Sequence, residues 1–119
     1  MVDPLPGGLL LTYYGDDFSG STDVAEALTF NGLATVLFLQ DPSREQMQRF
    51  AGYRAVGIAG VSRSQSPQWM TQHLPPIFER LKALGAPLCH YKVCSTFDSS
   101  PETGNIGKAI ELGQQAFGS

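Results

Sequence analysis

The chain is poor in cysteine, in basic residues and in long apolar runs, and each shortage excludes a class of protein. Its two cysteines, Cys89 and Cys94, are separated by an odd number of positions, which places them on opposite faces of a strand and disfavours a disulfide. His73 and His90 show no zinc-ligand spacing with them. No apolar run approaches the roughly 20 residues of a membrane helix, and residues 1–6 carry no secretion signal. We therefore expect a cytoplasmic protein with no metal site and no membrane contact.

Positive charge is scarce and scattered, with 8 Lys and Arg residues against 11 Asp and Glu residues. This pattern argues against nucleic-acid binding. Glycine-rich phosphate motifs are also missing. Lys108 is followed by alanine rather than serine or threonine, Glu102 stands where a P-loop has its first glycine, and no GxGxxG follows a predicted strand. We expect no nucleotide-phosphate site within this chain.

What the sequence does contain is an alternation of apolar and amphipathic segments. The intervening stretches are long enough for crossover helices, so the pattern predicts an α/β fold with three layers, a mostly parallel sheet and helices on both faces. At 119 residues the chain fits a single domain. The predicted strands cover residues 9–14, 34–39, 55–61 and 87–93.

Four helices are predicted between and after these strands. The first begins between Gly20 and Asp23, and the second has a capping box at its start. The third begins at Ser66, and Pro75 and Pro76 are expected to kink it or split it in two. The last begins near Asn105.

The first predicted strand runs into a loop of neighbouring carboxylates, hydroxyl residues and glycines at positions 15–23. A carboxylate can accept hydrogen bonds from two vicinal hydroxyls or act as a general base, so Asp16 and Asp17 suit a polyol. Gly20 would let the backbone approach a ligand closely. The same residue types also serve as ordinary turns and helix caps.

Two further polar loops follow the third and fourth strands. Arg63 lies just past the third strand and can pair with a carboxylate, although it can equally face solvent or neutralise the acidic pair. Lys92, Ser95 and Thr96 open a hydroxyl-rich segment that suits anion binding or simply caps the last helix. Because parallel strands end on one edge of the sheet, we expect all three loops to share one crevice.

Together these loops resemble the N-terminal domain of the four-carbon acid sugar kinase family, formerly a domain of unknown function. The resemblance covers nearly the whole chain. It rests on three ordered motifs, GDDFSGSTD at 15–23, VSRS at 61–64, and YKVCST at 91–96 with GNIG at 104–107.

The resemblance implies an ATP-dependent kinase that phosphorylates acids such as threonate, erythronate or their 3-oxo relatives. This chain would be the sugar-acid-binding domain of a larger two-domain enzyme, spanning residues 1–119. The C-terminal nucleotide-binding domain would supply ATP and Mg²⁺, and the chain alone would bind neither and be inactive. Some relatives also carry a label as Hrp-dependent type III effectors, which is not evidence of activity.

Matched to the family motifs, Asp17 is the predicted catalytic residue. Arg63 and Lys92 would lie near the acid's carboxylate and the transferred phosphoryl group. The segment at 95–101 is longer than the family's usual Ser-Thr-Leu-Arg-Gly type and lacks its arginine, which implies a different substrate preference. The full set of predicted substrate-binding residues is Asp16, Asp17, Ser19, Gly20, Arg63, Lys92, Ser95, Thr96 and Asn105.

Two other functions are weighed. A binding module without catalysis would have the same pocket. The sequence of this chain alone does not distinguish such a module from one domain of a kinase. A receiver-like signalling domain would need a phospho-accepting aspartate at the end of the third strand, where this chain has Gly60, Val61 and Ser62. Partners other than the sugar acid and the nucleotide domain are not indicated, and homo-oligomer formation is left open.

Overall fold

The predicted alternation of strands and helices is confirmed. The computed structural model describes residues 8–40, 42–50, 52–92, 100–103 and 105–118, without the side chain of Arg44. The elements in chain order are β1 (Leu11–Gly15), α1 (Phe18–Phe30), β2 (Thr35–Phe38), α2 (Arg44–Arg49), β3 (Ala55–Ala59), a 3₁₀ turn (Ser62–Ser64), α3 (Pro67–Ala83), β4 (Leu88–Lys92) and α4 (Ile106–Phe117).

The four described strands form one sheet in the order β2-β3-β1-β4, and every neighbouring pair is parallel. This confirms the α/β prediction. The last residue of β1, Gly15, lies beside Ala59 of β3 and Lys92 of β4. The carboxyl ends of these three strands are therefore level with one another.

Alternate side chains of β1 point to opposite faces of the sheet, as the pleat requires. The Tyr13 hydroxyl donates to the carbonyl of Ser21 in α1, at 3.0 Å. Tyr14 packs on the other face in a core built with α3 and α4. Helices thus cover both faces, which completes the three predicted layers. The buried members of the second core are Tyr14, Ile58, Met70, Leu74, Phe78, Leu81, Ala109, Leu112 and Ala116.

The connections leaving β1 and its neighbours diverge. The chain passes from β1 into α1 on one face, whereas it passes from β3 into α3 and from β4 towards α4 on the opposite face. In open α/β sheets, ligands bind outside the carboxyl ends of the strands where such connections part. The carboxyl end of β1 is therefore the place where this fold favours a ligand.

Helix α1 begins earlier than predicted. Asp17 is its N-cap and Phe18 its first residue, so Gly20 lies within the first turn instead of marking the start of the helix. The reason is local: the Asp17 side chain accepts a hydrogen bond from the Gly20 amide at 2.8 Å. Only Asp16 and Asp17 therefore remain between β1 and α1.

Helix α3 is continuous through Pro75 and Pro76, so of the two outcomes predicted for the prolines, a kink or a division, the division is wrong. Leu74 and Phe78 are both buried against the sheet, and their packing holds the helix on either side of the prolines.

The capping box at Ser43 and Gln46 is confirmed at the start of α2. Among the described residues, no helix combines the length and apolar character needed to cross a membrane.

Candidate functional site

The backbone of Asp16 joins the ends of three strands. Its amide donates to the carbonyl of Lys92 at 2.9 Å, and its carbonyl accepts from the amide of Arg63 at 3.1 Å. One residue earlier, the Gly15 carbonyl accepts from the Gly60 amide at 2.9 Å. The loops after β1 and β3 and the end of β4 thus meet at the carboxyl edge of the sheet, whereas residues 93–99 of the third predicted loop lie outside the described residues.

Asp17 uses both carboxylate oxygens. Oδ1 caps α1 through the Gly20 amide, and Oδ2 lies 3.4 Å from Nη1 of Arg63. The side chains of Asp17 and Arg63 are 17% and 36% exposed, so the pair lies at the protein surface with one side open to solvent. Both of the structural roles weighed in the sequence analysis, helix capping by the first loop and charge neutralisation by Arg63, are therefore present. A carboxylate has about four acceptor positions, so Asp17 retains capacity for a ligand hydroxyl.

Asp16 differs from its neighbour because it is only 5% exposed. Its side chain lies near two tyrosines of the sheet. Burial raises the pKa of Tyr14 and of Tyr91, and the negative charge of Asp16 adds to the increase in both. The two adjacent carboxylates thus have different surroundings: Asp16 is buried, and Asp17 is partly exposed at the carboxyl edge of the sheet.

Lys92 lies against the first turn of α1. A Cβ atom placed on Gly20 would be 3.5 Å from both Cγ and Cε of Lys92 and 2.6 Å from Oδ1 of Asp17. The absence of a side chain at Gly20 therefore allows the lysine stem and the capping carboxylate to pack over the helix start. Four predicted site residues, Asp17, Gly20, Arg63 and Lys92, are brought together in this way.

The remaining predicted residues are less closely connected to this group. Ser19 is exposed, and its carbonyl accepts from the Thr22 hydroxyl at 2.8 Å. Asn105 is the N-cap of α4, where its side chain accepts from the Lys108 amide at 2.9 Å. Ser95 and Thr96, together with Cys94, lie outside the described residues.

Two hydroxyl residues beside the site were not predicted. Ser62, 1% exposed, has its Oγ 2.7 Å from the Tyr91 hydroxyl. The Tyr91 ring packs on that of Tyr14, with centroids 5.3 Å apart. A signal was available in the sequence: Tyr14 and Tyr91 lie at or near the carboxyl ends of the predicted strands 9–14 and 87–93, which puts both hydroxyls near the same sheet edge.

A separate groove of about 700 Å³ lies between β4, α3 and α4. Its walls include Phe78, Leu81, Ala109 and Phe117, and none of the predicted site residues lines it. Its lining is mainly apolar, with Lys82, His90 and Gln114 among its polar members, and it includes no carboxylate to accept from sugar hydroxyls. The carboxyl edge of the sheet, where the acidic and basic side chains converge, is the better candidate for such a ligand.

No group of three His, Cys, Asp or Glu side chains in the described ranges could hold a metal ion. The fold and this edge of the sheet define a class of protein, a parallel α/β domain with acidic and basic side chains gathered at the carboxyl ends of its strands.

The chain belongs to the family described as the sugar-binding N-terminal domain, which it matches over residues 11–119. This confirms the resemblance to the N-terminal domain of four-carbon acid sugar kinases. The family match includes all the predicted site residues, because the first of them is Asp16 and the last is Asn105.

Similar proteins include two bacterial kinases. The chain is 58% identical over 108 residues to a 3-oxo-isoapionate kinase from Paraburkholderia graminis, covering 91% of this chain and 23% of that protein. It is 39% identical over 96 residues to a 3-oxo-tetronate kinase from Salmonella typhimurium, covering 81% and 22% respectively. The chain therefore spans roughly a quarter of the length of these relatives.

A crystal structure from Salmonella typhimurium LT2 has a similar fold. It superposes with a TM-score of 0.80 at 34% sequence identity, covering 92% of this chain and 26% of that one. That protein was presented as a candidate tRNA synthase. The superposition supports the parallel α/β architecture over nearly the whole chain.

Proposed function

We propose that this chain is the substrate-binding domain of an ATP-dependent kinase acting on four-carbon or closely related acid sugars, with its ligand held at the carboxyl end of β1. Threonate, erythronate, 3-oxo-tetronate and 3-oxo-isoapionate are the candidate ligands. The family match and the two kinases named above support the class of protein. Which of these acids the chain binds is part of the proposal.

The observation that carries the proposal is the convergence of opposite charges around one helix start. Asp17 Oδ2 faces Arg63 Nη1 at 3.4 Å, and the stem of Lys92 packs beside Gly20. An acid sugar combines hydroxyl groups with a carboxylate. A carboxylate of the protein can accept from the hydroxyls, while a guanidinium and an ammonium bind the acid group.

In the proposed complex, Asp17 accepts a hydrogen bond from the hydroxyl that attacks the phosphoryl donor. Kinases gain most of their rate from positioning and charge stabilisation, so the main task of Asp17 is to orient this hydroxyl and accept its proton at Oδ2. Arg63 then exchanges part of its contact with Asp17 for the ligand's acid group. Lys92 lies close enough to the same turn to bind the acid or the transferred phosphoryl group.

The proposal assigns ATP and Mg²⁺ to a second, C-terminal domain of the complete enzyme. It places that enzyme in the cytoplasm, where ATP is available. The described residues offer neither a glycine-rich phosphate loop nor a cluster of metal ligands. The 119-residue chain supplied with ATP, Mg²⁺ and threonate is therefore expected to form no phosphorylated product.

Titration calorimetry with the candidate acids tests the binding site. The wild-type chain is expected to bind at least one of them weakly, and Asp17→Asn is expected to abolish measurable binding. Asparagine caps helices about as well as aspartate, so this change removes the charge and keeps the start of α1. A hydrogen bond to a charged group contributes about 1.5–3 kcal/mol, which is a roughly 10- to 100-fold change in affinity.

Asp23→Asn is the matched control, because Asp23 is an exposed residue of the same helix. It should bind like the wild type. Equal affinity in the Asp17→Asn and wild-type proteins would remove Asp17 from the site. If the wild-type chain bound none of the acids, the proposed ligand class would be wrong.

A further inference from the structure

The turn that carries Arg63 has little internal support. It is a single 3₁₀ turn of three residues, Ser62–Ser64, and short 3₁₀ segments have poor hydrogen-bond geometry. Its position relative to the sheet must come from outside contacts. One is the hydrogen bond from the Arg63 amide to the Asp16 carbonyl. Others are the contact of the Ser62 and Tyr91 hydroxyls at 2.7 Å and the ion pair between Arg63 and Asp17 at 3.4 Å.

Tyr91 is a rigid anchor for the second contact. It belongs to β4, and its ring packs against the rings of Tyr14 at 5.3 Å and Phe78 at 6.2 Å. Tyr14 and Phe78 are 1% and 3% exposed, so this aromatic cluster lies within the core of the domain. The Tyr91 hydroxyl is protonated at neutral pH, as an ordinary tyrosine is, and burial raises its pKa further.

We infer that the Ser62–Tyr91 hydrogen bond is a positioning device that fixes the Arg63 turn to the core and so sets Arg63 opposite Asp17. Ser62 and Tyr91 do not bind the ligand in this scheme. They act through Arg63, and their effect on ligand affinity rests on the proposed function. Their effect on the position of the turn does not.

The device predicts that the two hydroxyls act as one unit. Removing either one breaks the same bond, so Ser62→Ala, Tyr91→Phe and the double variant should show similar losses. A neutral hydrogen bond is worth about 0.5–1.5 kcal/mol, equivalent to a roughly 2- to 12-fold change. We expect ligand affinity to fall by this factor in each single variant, with no further loss in the double variant.

Amide hydrogen exchange tests the position of the turn without any ligand. The Arg63 amide is bonded to Asp16 only while the turn is docked, so its exchange should accelerate roughly 2- to 12-fold in Ser62→Ala and in Tyr91→Phe. The amide of Ile58, in the centre of the sheet, should not change. If one variant also disturbed Ile58, the other would decide the question.

Ser64→Ala is the matched control. Ser64 lies in the same turn, is exposed, and bonds through its hydroxyl only to the Val61 carbonyl among the contacts described, at 3.1 Å. It should leave Arg63 exchange and ligand affinity near wild-type values.

Unchanged Arg63 exchange in both Ser62→Ala and Tyr91→Phe, or fully additive effects in the double variant, would overturn the inference. Failure of the wild-type chain to bind any acid sugar would instead refute the proposed function. The exchange measurement would still decide whether the positioning device exists.

Discussion

Two tyrosines of β1 require glycine residues in and just after the adjacent strand, β3. A Cβ atom on Gly57 would overlap the ring of Tyr13, and one on Gly60 would overlap the hydroxyl and ring of Tyr14. Both tyrosines are fully buried. These glycines therefore allow β1 to place a large aromatic side chain on each face of the sheet, close to its carboxyl edge.

Gly60→Ala should consequently destabilise the protein. The new methyl group would meet a buried ring that cannot move away, and overpacking of this kind costs about 1–3 kcal/mol. Gly113→Ala is the matched control. A Cβ there has open space, and alanine in the interior of α4 should increase stability by about 0.5–1 kcal/mol. Urea unfolding of both variants measures the two effects, and a loss of similar size in both would contradict the steric explanation.

The residue types that meet at the carboxyl edge of the sheet were predictable at this scale, but their different surroundings were not. Acidic and basic residue types after strand ends indicated Asp16, Asp17, Arg63 and Lys92. The sequence could not assign different surroundings to adjacent carboxylates, because burial of Asp16 depends on aromatic side chains contributed by two strands. The capping role of Asp17 was recognised only as an alternative, since the same residue types cap helices and bind ligands.

At the level of elements, strand positions followed closely from the apolar segments, and helix ends followed from their caps. Ser43, Ser66 and Asn105 cap helices at or next to the predicted positions. The exceptions were the start of α1 and the continuity of α3. In both, a side chain or a packing contact overrides the local preference of glycine or proline, which a local pattern does not reveal.

Pro76→Ala tests how much α3 loses by containing proline. Pro76 is exposed within the helix, where it removes a backbone donor. Alanine restores that donor, so we expect stability to rise by about 1–3 kcal/mol, reduced by the entropy that alanine returns to the unfolded chain.

Pro67→Ala is the corresponding control, because proline is well suited to the first turn of a helix. That variant should be no more stable than the wild type. Thermal unfolding of the two variants makes the comparison. An equal gain in both would show that the position of a proline within the helix does not determine how much it destabilises the protein.

For the whole molecule, the layers and parallel sheet were predictable, whereas the strand order was not. Periodicity identifies strands one at a time and contains no information on which strands become neighbours. The order β2-β3-β1-β4 places β1 between β3 and β4. That central position is what brings the Arg63 turn, the end of β4 and the two aspartates to one point.

The same arrangement buries several tyrosines, and this predicts a loss of stability in alkaline solution. Burial raises the pKa of Tyr13 from 10.0 to about 12, and it also raises the pKa values of Tyr14 and Tyr91. Above pH 10 the unfolded chain releases these phenolic protons while the folded protein retains them. The stabilisation is therefore complete below pH 10 and is lost as the pH rises through the folded-state pKa values.

Comparison with Tyr91→Phe isolates the contribution of one tyrosine. The limiting slope is about 1.4 kcal/mol per pH unit for each such group, so the stability difference between wild type and Tyr91→Phe should shrink by up to this amount per unit above pH 10. Urea unfolding between pH 8 and pH 11 measures both curves, and the titration of lysines cancels because both proteins contain them. Parallel curves across this range would mean that Tyr91 ionises equally readily in the folded and unfolded states, and hence that its hydroxyl is not enclosed with Ser62 in the core.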